Sequence, residues 1–366
     1  MGTLSSLTGG SGGGGSPLPQ PEWLFQKSSF SYTFPYDGVV RVHVIGAGGS
    51  GGAQNNGYSA TGGGAGGYCR KQFTVTTSTT ATVTTGVGGA RVGQGTSNAD
   101  GNAGTATTFV LGSDTLTANG GTGGTRYGTT SKGLGGSATG GDINYTGGNG
   151  GARLGQYNDY AQATGGGAVN LFNLTTDGGS ITNAGRNCAT GGGGVGGRGG
   201  NITNSSYYQI TGGGGSAGPA DDIPNSGNTY GASSNGGAAG ARLFIFNGPF
   251  LDGKGGNPIR LYNYSATSYG YILSPFETIG MGAGSGAMAG WESNGPPASA
   301  MIAQTAGIFG GGGGCFVAQH EGGSGGDASV GGGGGAHAFR QGDSSPQRFS
   351  GRGGQGVVII EYIERS

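Results

Sequence analysis

Ninety-seven of the 366 residues are glycine, more than a quarter of the chain against a usual share of roughly 7%. Charged residues are only 9% and the formal net charge is zero, so the chain offers no basic stripe for nucleic acid. It has no apolar run near the roughly 18 residues of a membrane span, and from its first residues no secretory leader is expected. The 16 Tyr, 14 Phe and 2 Trp separate it from disordered chains, which carry few aromatics. The glycine is therefore expected to be structural.

Residues 1–21, MGTLSSLTGGSGGGGSPLPQP, read as a Gly/Ser arm ending in a Pro-rich stiffener. From Glu22 to Ala118 the pattern is that of strands. WLFQKSSFSYTF (23–34) is aromatic and alternating, and VVRVHVI (39–45) alternates Val40, Val42 and Val44 against Val39, Arg41 and His43. YCRKQFTVTT (68–77) and TATVTT (80–85) are Thr- and Val-rich, as strands are. TATTFVLG and DTLTA (105–118) form a candidate hairpin around Gly112-Ser113. GVVIIEYIE (356–364) is the strongest strand signal and closes the module. We therefore expect an all-β fold with an irregular glycine-rich region, in which 22–118 plus 356–366 form a small β-sandwich.

Residues 119–355 alternate glycine runs, such as GGGGVGGRGG (191–200) and GGGGG (310–314 and 331–335), with polar and aromatic interruptions. Two further runs, 48–52 and 62–67, lie between the early strands. No Gly-X-Y register is kept, which excludes collagen. Glycine costs about 1 kcal/mol per residue against Ala in a helix and gives a strand no side chain to pack. What remains is the extended three-residue-per-turn helix, with every N–H and C=O pointing outward to neighbouring runs. A bundle of polyglycine II helices, seeded by the sandwich, is the expectation.

Gly46-Ala47-Gly48-Gly49-Ser50-Gly51 is a literal G-x-G-x-x-G after a strand. A dinucleotide site needs a following helix and an acidic residue about 20 positions on. GAQNNGYSATGGGAGGYCR follows instead, so the segment reads as the first glycine run leaving the sandwich. Cys69, Cys188 and Cys315 are far apart and read as buried, reduced thiols. Cys315, His320, Glu321 and His337 lack zinc spacing. Asp221-Asp222 reads as a solvated turn before Pro224, and Ser324 has no strand–turn–helix around it. His43 reads as a satisfied or exposed strand residue. No catalytic constellation, metal site or cofactor is expected.

The interruptions stand out. NITNSSYYQI (201–210), 241–279 and 288–309 are rich in Tyr, Phe, Asn and Ser, a composition suited to recognition loops. Tyr207, Tyr208, Tyr262, Tyr264, Tyr269, Tyr271 and Trp291 are the candidate aromatic contacts, with Arg260 and Asn263 as polar neighbours. Phe244, Phe246 and Phe250 read equally well as caps on the array.

VVRVHVIGAGGSGG, GGGAGGYCRKQFTVTTSTTATVTTGVGG, GTATTF and GGQGVVIIEY together resemble the glycine-rich domain of bacteriophage tail-fibre and receptor-binding proteins. The central region is similar to the polyglycine II tail-fibre-tip adhesins of T-even-like phages. The resemblance implies a virion protein exposed at the tail tip, non-enzymatic, binding a bacterial surface protein or polysaccharide through loops. It implies attachment to other tail or fibre proteins through the N-terminal arm, with homo-oligomerisation left open and no nucleic acid or membrane partner. The alternative is a structural glycine-rich filament subunit.

Overall fold

The alternation of Val40, Val42 and Val44 puts three branched side chains on one face of the Gly38–Ile45 strand, where they are fully buried. In the computed structural model this strand is central to a five-stranded antiparallel sheet. The order is Glu22–Leu24, Val357–Arg365, Gly38–Ile45, Tyr68–Val75, Ile143–Tyr145. The structure describes residues 18–25, 28–54, 59–93, 98–126, 131–154, 162–183, 188–203, 209–216, 218–223, 243–244, 250–251, 259–262, 283–291, 301–302, 305–317, 323–339 and 349–365.

A second antiparallel sheet runs Ala138–Thr139, Asp114–Ala118, Thr107–Leu111, Thr80–Thr84, Phe30–Thr33. Phe34, Val83, Phe109 and Leu116 meet Val42 and Ile360 of the first sheet in one shared core. The two sheets form a sandwich, and the chain is all-β, with no helix among the described residues. The expected hairpin is present, turning at Gly112 with φ 58°. The aromatic stretch 23–34 is divided: Glu22–Leu24 joins the first sheet and Phe30–Thr33 the second. Two edge strands, Ala138–Thr139 and Ile143–Tyr145, lie beyond the 22–118 span expected for the module.

The first sheet is buried on one face along its length and on the other at its array-side end, while Gln72 and Thr74 further along that face are exposed. Its second face carries Ile45, Tyr68, Val357 and Ile359, packed against Val169, Leu171, Val195 and Phe309 from the glycine-rich part. Trp23 stacks on Phe309 with ring centroids 5.8 Å apart. These apolar residues sit at the turns between glycine runs and seat the array on the sandwich.

Within the array, hydrogen bonding repeats every three residues. Gly46, Gly49 and Gly52 donate to the carbonyls of Gly67, Gly64 and Thr61 at 2.9, 2.9 and 3.0 Å. Ala47, Ser50 and Ala53 donate to Thr105, Asn102 and Ala99 at 3.2, 2.9 and 2.9 Å. Gly48 and Gly51 donate to Gly354 and Gly351 at 2.8 and 3.1 Å. One segment thus donates in turn to three antiparallel neighbours, and its carbonyls accept from three more, at Gly89, at Gly121 and Gly124, and at Gly334 and His337, where a strand would bond to two. The G-x-G-x-x-G stretch lies wholly inside this segment and opens no helix.

Close approach explains the glycine. A Cβ on Gly166 would overlap the carbonyl oxygen of Gly333, and one on Gly192 that of Gly311. At the border, side chains take the place of the missing neighbour. Thr122 Oγ1 accepts from the Leu134 N–H at 2.7 Å, Thr105 Oγ1 from Val87 at 2.8 Å, and an Asp177 carboxylate oxygen from Asn149 at 2.7 Å. Backbone groups at the border are thereby satisfied without a further glycine run.

Candidate functional site at the far end of the glycine array

The array has two unlike ends. The segment 46–52 leaves the sandwich at Ile45, and 61–67 returns to it at Tyr68, bonded antiparallel to the first. Gln54 and Ser59 therefore lie at the far end. Register places other residues there too. Ser59, Gln162, Cys188 and Gln209 are successive parallel partners at the start of segments running towards the sandwich. Arg153, Ile181 and Ile202 are successive partners at the end of segments running away from it. Another parallel sheet orders Ile259–Tyr262, Met288–Trp291, Cys315–Val317, His337–Phe339 and Ala53–Gln54.

A short motif fixes the inward-running segments: Ser59-Ala60-Thr61-Gly62, Gln162-Ala163-Thr164-Gly165, Cys188-Ala189-Thr190-Gly191 and Gln209-Ile210-Thr211-Gly212. Thr164 Oγ1 accepts the Gly62 N–H at 2.9 Å and donates to the Gly151 carbonyl at 2.6 Å. Thr190 repeats this between Gly165 and Gly179, and Thr211 between Gly191 and Gly200. Each Thr stitches its own segment to a parallel neighbour and to an antiparallel one. The x-(Ala/Ile)-Thr-Gly repeat was readable in the sequence but is too short to stand out among so many glycines. Beneath the end, buried Arg153 donates from Nε to Gln162 Oε1 at 2.9 Å, and burial lowers its pKa.

Three of the expected contact residues are brought close in register. Tyr262 is the backbone partner of Trp291, and Arg260 that of Ala289, on adjacent parallel strands at this end. Tyr207, Tyr208, Asn263, Tyr264, Tyr269 and Tyr271 lie outside the described residues, as does Phe246. Phe244 and Phe250 are partners in a two-stranded antiparallel ladder.

The remaining sequence candidates resolve differently. Cys69, Cys188 and Cys315 are buried and in no disulfide, and burial pushes Cys69 and Cys315 up to about 12. Cys315 is the strand partner of His337, while His320 and Glu321 lie outside the described residues. Asp222 is more than a solvated turn residue. It pairs with Arg198 through two contacts, at 2.6 and 2.7 Å, and accepts the Asn201 N–H at 2.8 Å. Ser324 is buried in a parallel ladder with Ile302.

His43 is buried rather than exposed, because the face of the sheet it occupies is covered by the array. Its Nδ1 lies 2.8 Å from the Tyr68 hydroxyl and its Nε2 3.3 Å from Glu361 Oε1, which also accepts from Arg41 at 2.7 Å. Burial lowers the His43 pKa, outweighing the opposing pull of Glu361. Burial acts to raise Glu361, but His43 and Arg41 together bring it below the ordinary carboxylate value.

A sandwich carrying layers of glycine segments, hydrogen-bonded to one another through their backbones, defines a glycine-rich all-β domain. A family model described as a glycine-rich domain matches residues 25–270, well over half of the chain, and the protein belongs to that family. A search of curated proteins gave no match.

Proposed function

We propose that the glycine segments are polyglycine II helices and that the protein is a non-enzymatic adhesin of a bacteriophage tail-fibre tip. In this reading the sandwich seeds the bundle, and residues at its far end bind a bacterial surface protein or glycan. The three-residue alternation of hydrogen-bond partners is what a threefold extended helix requires. The observation that carries the functional reading is asymmetry. The interruptions after Gln54, Leu154, Asn183, Thr203, Tyr262, Trp291, Val317 and Phe339 all depart from the end opposite the sandwich. At the sandwich end, by contrast, the turns at 171–173, 195–196 and 308–309 are short and carry the apolar residues of the joint. A rigid array from one end of which the Tyr-, Asn- and Ser-rich segments depart limits the entropy lost on binding.

The test is binding of the purified protein to a panel of bacterial strains, beside the double variant Tyr262→Ala/Trp291→Ala. The adhesin reading expects the intact protein to bind a subset of strains and the variant to lose that binding with an unchanged melting curve. Binding to no strain, together with assembly into filaments, overturns it.

A further inference from the structure

One backbone register runs unbroken through both bodies of the molecule. In the sandwich Val42 is the antiparallel partner of Ile360, and Ile45 that of Val357. The same alignment continues in the array, where Gly48 donates to the Gly354 carbonyl at 2.8 Å and Gly51 to that of Gly351 at 3.1 Å. Residues 351–365 therefore lie along 38–51 across the change from strand to glycine segment. A second mate follows the same rule. Gly38 pairs with Val75 and Ile45 with Tyr68, and the alignment runs on as Gly46 donates to Gly67, Gly49 to Gly64 and Gly52 to Thr61.

The two mates differ in their distance along the chain. Tyr68 is 25 positions from His43, whereas Glu361, on the other side of the same imidazole, is 318 positions away. Joining the distant pair costs more closure entropy unless the segments between are already folded, and such non-local pairing forms late. The other strands of the sandwich come early, since all but Glu22–Leu24 and Val357–Arg365 lie between residues 30 and 145. Among the described residues, Glu22–Leu24 pairs in the sheet with Val357–Arg365 alone. The late mate also enters both cores. Val358, Ile360 and Tyr362 lie between the sheets, and Val357 and Ile359 at the joint. In the array, Gly351, Gly353 and Gly354 donate to Gly335, Gly89 and Gly332 at 2.8, 3.0 and 2.7 Å.

We propose that residues 351–365 are a strap, one cooperative unit that closes last along 38–51, opens first, and locks the array to the sandwich. With the strap open, 38–52 stays paired with 61–75, and the second sheet still covers that pair. Neighbouring amides of a single glycine segment then belong to different units. Gly48 and Gly51 donate to the strap, while Gly46, Gly49 and Gly52 donate to 61–67.

The experiment is native-state hydrogen exchange of the full chain in low, rising concentrations of guanidinium chloride. Gly48, Gly51, Gly353, Gly354 and residues 357–362 are expected to exchange through one shared opening, lower in free energy than that of Gly46, Gly49 and Gly52. Ile360→Val should speed both groups, by roughly twofold to tenfold. Leu116→Val lies on a strand that the Lys71–Asp114 pair ties to 68–75, and it should speed only Gly46, Gly49 and Gly52. Three results overturn the proposal: all these glycines exchanging through the same opening; Gly353 and Gly354 opening apart from 357–362; or Leu116→Val speeding Gly48 and Gly51 as much as Gly49 and Gly52.

Discussion

The sandwich and the glycine array solve the same problem with opposite materials. In the sandwich, Val42, Phe109 and Ile360 supply volume, and the two sheets are held about 10 Å apart by the side chains between them. In the array the absence of side chains is the adhesive, because backbones approach closely enough for an interior segment such as 46–52 to donate to three others and accept from three more. The first gains from apolar burial and the second from satisfied peptide groups, each modest in net worth at roughly 0.5–1.5 kcal/mol per hydrogen bond. Ordering glycine costs more backbone entropy than ordering any other residue. The array therefore depends on number and on the joint at Ile45, Val169 and Phe309, where the two materials meet.

The largest expected effect separates two kinds of glycine. Gly166→Ala places a methyl on the Gly333 carbonyl, with backbone on every side and no flexible side chain to yield. We expect a loss above about 4 kcal/mol, the range of exceptional single substitutions, read as failure to fold or a collapsed melting temperature. Gly112→Ala, at the hairpin turn, meets nothing within 4 Å. Its only penalty is the left-handed backbone, about 1–2 kcal/mol. Equal effects at the two sites would refute the close-packing account of the array.

A middle-sized effect falls on the stitching threonines. Thr190→Val keeps the shape but strands the Gly165 N–H and the Gly179 carbonyl, both buried. Each orphaned group costs about 1–3 kcal/mol, whereas Thr190→Ser keeps the hydroxyl and should lose less. Denaturant melts of the two variants check this, and Val equal to Ser would mean that the hydroxyl contributes nothing.

Legibility in the sequence divides along the same line. The Gly38–Ile45, Tyr68–Val75 and Val357–Arg365 strands were readable from their side chains, the first by alternation, the second by Thr and Val content and the third by its apolar β-branched run. The strands Ala138–Thr139 and Ile143–Tyr145 were not, being two and three residues long and set among glycines, where no period can show. That the runs pack together could be argued by elimination. Which run neighbours which could not, since bare backbone carries no register and the pairing is set by turn residues such as Leu171, Val195 and Phe309. Of the candidate contacts, the pairing of Tyr262 with Trp291 depends on alignment across 29 positions of chain, which local pattern does not encode.

The smallest effect concerns the joint. His43 lies between the two bodies, facing Tyr68, Glu361, Arg41 and Arg70. Its folded pKa is below the ordinary 6.5, because burial disfavours the imidazolium more than Glu361 favours it. The unfolded chain then binds more protons than the native one as pH falls through 6.5. Stability from this group is complete above that pH and is lost on acidification towards the folded pKa. Glu361, also lowered, acts in the same direction, but only below the ordinary carboxylate value of 4.5. Between pH 6.5 and 5 the decline therefore belongs largely to His43, with a slope of at most about 1.4 kcal/mol per pH unit for one proton. Melting temperature measured across that window should fall in the parent protein and stay nearly flat in His43→Gln, which retains a polar group beside Tyr68 and cannot be protonated. An unchanged slope in the variant would move the acid sensitivity away from the joint and into one of the two bodies.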